Sequence, residues 1–142
     1  MEISYNSMML ADGNKLEFLR DQKIVVTWTG GLDSTSLIAL LLLEYNCTVL
    51  PLFVARGQKN YEEERASIEH FSKKFSRKFK SFHDTFEVNV PVPAKAFKEK
   101  YGKNQLILVL RNSDLINQAI RYAVCENVAY IAVGSNIEDT FG

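Results

Sequence analysis

Four short apolar runs, each followed by a stretch of helical character, restrict what this chain can fold into more than any other feature. The runs are Ile24 to Trp28, Thr48 to Val54, Phe86 to Val90 and Val128 to Val133. Between them lie helical stretches over 34–45 and 61–82, and helical pieces that end at Glu126. Parallel strands cannot be joined by tight turns, so a β–α–β alternation implies crossover helices. Right-handed crossovers then place helices on both faces of one sheet. The alternation predicts an α/β fold, a three-layer α/β/α doubly wound parallel sheet.

Strand character indicates where each strand sits, because a strand covered on both faces has no polar face to alternate. The first, second and fourth runs show no alternating polar face. The third alternates Phe86, Val88 and Val90 with Glu87 and Asn89, which reads as a half-exposed edge. A strand order of 3-2-1-4 follows. That order reverses direction between strands 1 and 4, and ligands in such sheets bind beyond the carboxyl ends of the strands at that switch point. Two loops therefore matter most, those after Trp28 and after Val133. Pro51 has no backbone donor for a central ladder, and a bulge or a late start of the second strand is expected there.

At 142 residues and 46% apolar, the chain can bury one core. We read residues 1–22 as a polar lead-in carrying one short helix near Lys15 to Arg20, and 23–142 as a single domain. Lys plus Arg and Asp plus Glu both total 17, so no global charge field points to nucleic acid, a membrane surface or an acidic partner. The only cysteines, Cys47 and Cys125, are too far apart for a CxxC pair and too few for a disulfide scaffold. The longest strictly apolar run, Leu37 to Leu43, falls well short of the roughly 20 residues that span a bilayer, and the start of the chain lacks a signal-peptide pattern. A cytoplasmic protein without membrane contact is expected.

The segment after the first strand reads Thr29, Gly30, Gly31, Leu32, Asp33, Ser34, Thr35, Ser36 and leads straight into a helix. Two glycines let the backbone turn tightly and approach an anion with no Cβ in the way. The first helical N–H groups are unpaired donors at the positive end of the helix dipole. Hydroxyls at Thr29, Ser34, Thr35 and Ser36 add donors. A carboxylate at Asp33 suits phosphates only when a divalent cation is present, and Mg2+ takes such oxygen ligands. The loop is thus suited to a metal-chelated polyphosphate. A plain turn with Asp33 or Ser34 as N-cap is the competing reading. Neither GxxxxGK[ST] nor GxGxxG occurs, so the commoner nucleotide loops do not apply.

Thr29 to Ser34 resembles the SGGxDS motif of the PP-loop, or N-type ATP pyrophosphatase, superfamily, with threonine replacing the leading serine. From about Lys23 to Asp139 the chain is most similar to the 7-cyano-7-deazaguanine (preQ0) synthases of queuosine biosynthesis. Arg56-Gly57-Gln58 stands where that family carries Tyr-Gly-Gln. Pro93-Ala94-Lys95-Ala96-Phe97 follows the third strand. Leu110-Arg111-Asn112 resembles a Pro-Gly-Arg-Asn segment, and Gly134-Ser135-Asn136-Ile137-Glu138-Asp139 resembles a Gly-x-Asn-x-x-Asp loop.

The resemblance implies a Rossmann-like, adenine nucleotide alpha hydrolase-like fold and an ATP-dependent C–N ligase. Such an enzyme turns 7-carboxy-7-deazaguanine and ammonia into 7-cyano-7-deazaguanine. It implies ATP and Mg2+ as cofactors, with ATP held by Thr29, Gly30, Gly31, Leu32, Asp33, Ser34, Thr35, Gly57 and Gln58, and by main chain near Phe53, Val54 and Gly134. Asp33 and Asp139 would hold Mg2+, and Asp33, Ser34 and Arg111 would serve catalysis, Arg111 by neutralising phosphate charge. The expected partner is a small-molecule carboxylate, the deazaguanine acid or another, with no direct nucleic-acid contact. A homo-oligomer is expected because Leu37 to Leu43 is apolar all round.

Family members continue past this point with a strand, helices and a four-cysteine zinc cluster, none of which this sequence contains. Zinc is therefore not expected here, and the chain reads as a truncated form or one whose fourth strand another chain completes. The rival readings are another PP-loop activity on a different acceptor and a non-catalytic ATP-binding module. Phe71, Phe75 and Phe79, with Ile68 and Phe82, form a core stripe. Lys73, Lys74, Arg77, Lys78 and Lys80 form a solvated face. His70 and His83 lack partners at metal-ligand spacing.

Overall fold

The computed structural model describes residues 16–90, 94–102 and 105–133, with 105–112 as backbone only. Its strands are β1 (Lys23–Thr27), β2 (Thr48–Ala55), β3 (Phe86–Asn89) and β4 (Tyr130–Val133). Its helices are α1 (Leu32–Leu43), α2 (Tyr61–Lys78), α3 (Lys95–Tyr101) and α4 (Gln105–Cys125). All strand pairs are parallel, in the order β3-β2-β1-β4. The fold is the doubly wound Rossmann-like α/β sheet, with the reversal of direction between β1 and β4.

Alternation along the two central strands divides the core into two halves. Ile24, Val26, Val49 and Phe53 face one side, where they meet Ile38, Leu41 and Leu42 of α1 and Ile68 of α2. Val25, Leu50, Leu52 and Val54 face the other, against Ala119 and Ala123 of α4. The two alanines are fully buried and let α4 lie close to the sheet. Every residue from Ile24 to Trp28 and from Val49 to Ala55 is buried, as expected of strands with both faces covered. Edge strand β3 contributes only Val88 as a partly buried residue against this core, and Phe86 and Glu87 are exposed.

Pro51 produces neither a bulge nor a late start, which corrects the sequence reading. It sits within unbroken β2, paired with Val26. Val49 exchanges hydrogen bonds with Ser81 and His83 on the β3 side of the strand, and Pro51, two residues on, faces the same way. The pairing of β2 with β3 resumes only at Leu52 and Phe86. The missing N–H therefore falls between the two paired stretches of the β2–β3 ladder.

Other boundaries also differ from expectation. Helix α2 ends at Lys78 instead of reaching Phe82, because Phe79 turns to an extended conformation and Phe82 bridges to Val49. Strand β4 begins at Tyr130, since Val128 still closes the end of α4 through a bond from its N–H to the Ala123 carbonyl. The short helix expected near Lys15 to Arg20 is present as a 3-10 turn, Glu17–Leu19, but the lead-in is not wholly polar, since Leu16 and Leu19 are buried in the core. The aromatic stripe is as expected, with Phe71, Phe75 and Phe79 packed around buried Ile68 and Phe82, and the lysines and arginine between them exposed. In α1, Leu37 and Leu40 are partly covered, while Leu43 stays 57% exposed. Among the described residues no helix is long and apolar enough to cross a membrane.

Candidate nucleotide site at the end of the first strand

Strand β1 delivers its carboxyl end to a tight turn that opens α1. Gly30 adopts φ +78°, a left-handed conformation that costs other residues about 1 kcal/mol or more. A Cβ at Gly30 would also lie 2.7 Å from the Glu64 carbonyl oxygen of α2, so two separate constraints demand glycine there. Gly31 is the N-cap of α1 and provides no side-chain cap, and Asp33 is the acidic residue of the first turn. An uncapped helix start carries amide donors and positive dipole character outward, the arrangement that receives anionic oxygens.

Side chains inside the loop hold its shape. Ser34 is buried, and its Oγ accepts a hydrogen bond from the Thr29 N–H at 3.2 Å while lying 3.2 Å from Thr29 Oγ1. Thr29 Oγ1 in turn accepts from the Gly31 N–H at 3.3 Å. Thr35 is buried and accepts from the Trp28 indole N–H at 2.9 Å. Leu32 and Asp33 are exposed. The turn thus sets two glycines and a helix start without a side-chain cap from Gly31 beside an exposed first-turn carboxylate.

The turn after β2 forms the adjoining wall. Gly57 has φ +83°, and Gln58 folds back so that its Oε1 accepts from the Arg56 N–H at 2.8 Å. Gln58 Nε2 donates to Glu64 Oε2 at 2.7 Å, and the Arg56 guanidinium approaches Glu64 Oε1 at 3.5 Å. Phe53 is buried with its ring stacked on Tyr61 at 5.7 Å, and Val54 is buried beside it in the strand. The Tyr61 hydroxyl donates to Glu87 of β3 at 2.9 Å, and that bond raises its pKa above the usual tyrosine value.

Residues 29–35 and Gln58 are thus brought to one end of the sheet, joined through Glu64 of α2. Arg111 lies within α4, in the stretch described as backbone only. Gly134 and Asp139 lie outside the described residues, as does Pro93. Val133 pairs with Thr27, so β4 ends level with the start of the glycine loop. Among the described residues no group of three or more His, Cys, Asp and Glu side chains could hold a metal ion. Glu64 and Ser67 were not singled out in the sequence, although both lie on the face of α2 that carries Ile68 and Phe71. For Ser67, a small hydroxyl residue next to the apolar stripe of Ile68 and Phe71 was the available signal.

A paired-glycine turn running from β1 into α1, at the switch point of a 3-2-1-4 parallel sheet, defines a Rossmann-like domain with a loop of the PP-loop kind. Sequence comparison agrees. The chain is 30% identical to 7-cyano-7-deazaguanine synthase 1 of Desulfitobacterium hafniense (strain Y51), over 79% of this chain and 54% of that protein. This similarity relates the chain to the PP-loop superfamily. The chain spans about half the length of that relative. Among solved structures, the U34-tRNA thiolase NcsA from Methanococcus maripaludis, determined with its 4Fe-4S cluster, aligns with a TM-score of 0.49 and 22% identity, over 87% of this chain and 41% of that one. No family model matches the chain.

Proposed function

We propose that the chain binds Mg2+-chelated ATP at the Thr29–Thr35 loop and takes part in carboxylate activation of the 7-cyano-7-deazaguanine synthase type. The observation that carries this reading is the uncapped start of α1 behind the Gly30–Gly31 turn, in a chain similar to a protein of that name. In this reading amides of the turn and of the first turn of α1 receive the phosphates, and Ser34 fixes the loop. Asp33, with Asp139, holds Mg2+, and Arg111 neutralises phosphate charge. Main chain near Phe53, Val54 and Gly134 flanks adenine, and Gly57 and Gln58 shape the neighbouring wall. Residues 23–142 act as the ATP-binding domain.

The chemistry is attack of a substrate carboxylate on the α-phosphate of ATP, with pyrophosphate as leaving group. The acyl adenylate then loses AMP to ammonia and becomes an amide. A second activation of that amide, again releasing pyrophosphate and AMP, yields the nitrile. Charge accumulates on the departing pyrophosphate, where the fixed amide donors stabilise it most if water is excluded, and Mg2+ held by Asp33 and Asp139 would supply further charge neutralisation. The proposed substrate is 7-carboxy-7-deazaguanine.

Calorimetric titration of the purified chain with ATP, with and without Mg2+, tests the binding step. Pyrophosphate release in the presence of the deazaguanine acid and ammonium tests the reaction. Asp33→Ala is expected to remove Mg2+-dependent ATP binding while thermal unfolding stays within a few degrees of the parent. Unchanged nucleotide affinity in that variant would overturn the assignment of the loop.

A further inference from the structure

Resting on the assignment of the glycine loop to nucleotide phosphate, we infer that Ser67 of α2 is a positioning residue that fixes which way the Gly30–Gly31 peptide faces. Ser67 Oγ donates to the Gly30 carbonyl oxygen at 2.7 Å. That carbonyl and the Gly31 N–H belong to one trans peptide unit and point in opposite directions. With the oxygen held against α2, the Gly31 N–H is turned inward to the loop, where it reaches Thr29 Oγ1 at 3.3 Å, beyond the usual N–H···O distance. A donor so weakly engaged can exchange its partner for a phosphate oxygen.

The orientation needs an external hold, because neither flanking residue has a Cβ and rotation of a Gly–Gly peptide meets little steric resistance. A flipped peptide would present a carbonyl oxygen to the incoming phosphate, a repulsive contact in place of an attractive one. Helix α2 lies against the turn at this point: the Glu64 carbonyl oxygen and the Ser67 Cβ come within 2.7 and 3.2 Å of where a Gly30 Cβ would stand. Ser67 is therefore close enough to hold the turn and is not displaced by a side chain from it. A single neutral hydrogen bond shifts such an equilibrium by roughly 2- to 12-fold, which sets the size of the expected effect.

The test compares the parent chain, Ser67→Ala and Ser67→Thr for binding of Mg2+-ATP, Mg2+-pyrophosphate and AMP. Loss of positioning is expected to weaken Mg2+-ATP and Mg2+-pyrophosphate roughly 3- to 10-fold in Ser67→Ala. AMP, which lacks the phosphates the loop grips, should stay within about twofold, and Ser67→Thr, which keeps the donor, should recover the affinity. In the ligand-free chain the Gly31 amide resonance should move in Ser67→Ala and return in Ser67→Thr. Equal Mg2+-ATP affinity in Ser67→Ala and parent overturns the role of Ser67 alone, as does equal weakening of ATP and AMP, the mark of a general distortion. A parent chain that binds neither Mg2+-ATP nor Mg2+-pyrophosphate overturns the loop assignment, and the role of Ser67 with it.

Discussion

Ser34 Oγ lies 3.2 Å from the Thr29 backbone nitrogen and 3.2 Å from Thr29 Oγ1, so one buried hydroxyl ties the first turn of α1 back to the end of β1. Removing it in Ser34→Ala leaves a partly buried N–H without its acceptor, at a cost of about 1–2 kcal/mol. Thr29→Ser keeps both the N–H and the hydroxyl, and should stay within about 0.5 kcal/mol of the parent. Urea unfolding of the two variants checks the contrast. Equal stabilities would show that the hydrogen bond does not hold the loop.

The two glycines with left-handed backbone next to this site should respond differently to a Cβ. At Gly57, φ +83° with nothing within 4 Å, alanine meets only the conformational penalty, about 1 kcal/mol. At Gly30 the same penalty adds to a clash with the Glu64 main-chain oxygen, which cannot swing aside, and roughly 3 kcal/mol or more is expected. Denaturant midpoints for Gly30→Ala and Gly57→Ala test the ordering. A Gly57→Ala variant less stable than Gly30→Ala would contradict it.

What could be read in the sequence followed from local chemistry. The two-sided apolar runs around Val25 and Leu52 against the alternating Phe86–Asn89 were enough for the strand order, because burial on both faces removes any polar alternation. The glycine pair and hydroxyls at 29–34 announced a tight strand-to-helix turn for the same local reason. Contacts between distant segments were not legible. Ser67 meets Gly30 across 37 residues, and a hydroxyl beside the apolar stripe of α2 does not by itself tell which distant carbonyl it will meet. Pro51 was misread because the cost of a missing donor depends on which edge of β2 it faces and on where the β3 ladder pauses, and both are properties of the assembled sheet. The bond from Trp28 to Thr35 lay closer in sequence, but its direction depends on how α1 leaves the loop.

Glu64 joins the two walls of the site, since its side chain holds Arg56 and Gln58 while its main chain lies under Gly30. Its side chain is only 10% exposed and that of Arg56 13%, so the ion pair is largely shielded from water. Truncation to alanine strands the Arg56 charge and the Gln58 amide together, and a loss of about 2–4 kcal/mol is expected. Arg56→Met, which keeps much of the side-chain volume but still leaves Gln58 to bond Glu64, should cost less than Glu64→Ala. The two variants compared by thermal unfolding decide whether the carboxylate or the guanidinium matters more to the turn.

The two cysteines give a pH-dependent test of the core on the α1 side. Cys47 is buried, with its Sγ 3.2 Å from the Leu19 carbonyl oxygen, whereas Cys125 is exposed. Burial is the main cause that pushes the Cys47 thiol from its ordinary 9.0 up to about 11. In the unfolded chain the thiol ionises near 9.0, while the folded chain keeps it neutral until about pH 11. The unfolded state therefore gives up its proton first. The stability due to the neutral buried thiol is complete below pH 9, and it declines as pH rises through that window. Cys47→Ala should be less stable at pH 7 because it leaves a small cavity, yet show a shallower decline between pH 9 and 11 than the parent. In the native state near pH 8 a thiol reagent should modify Cys125 alone, and unfolding should release the second group. Equal reactivity of both thiols in the folded protein, or identical pH slopes for parent and variant, would show that Cys47 is not sealed beneath the Leu16–Leu19 segment.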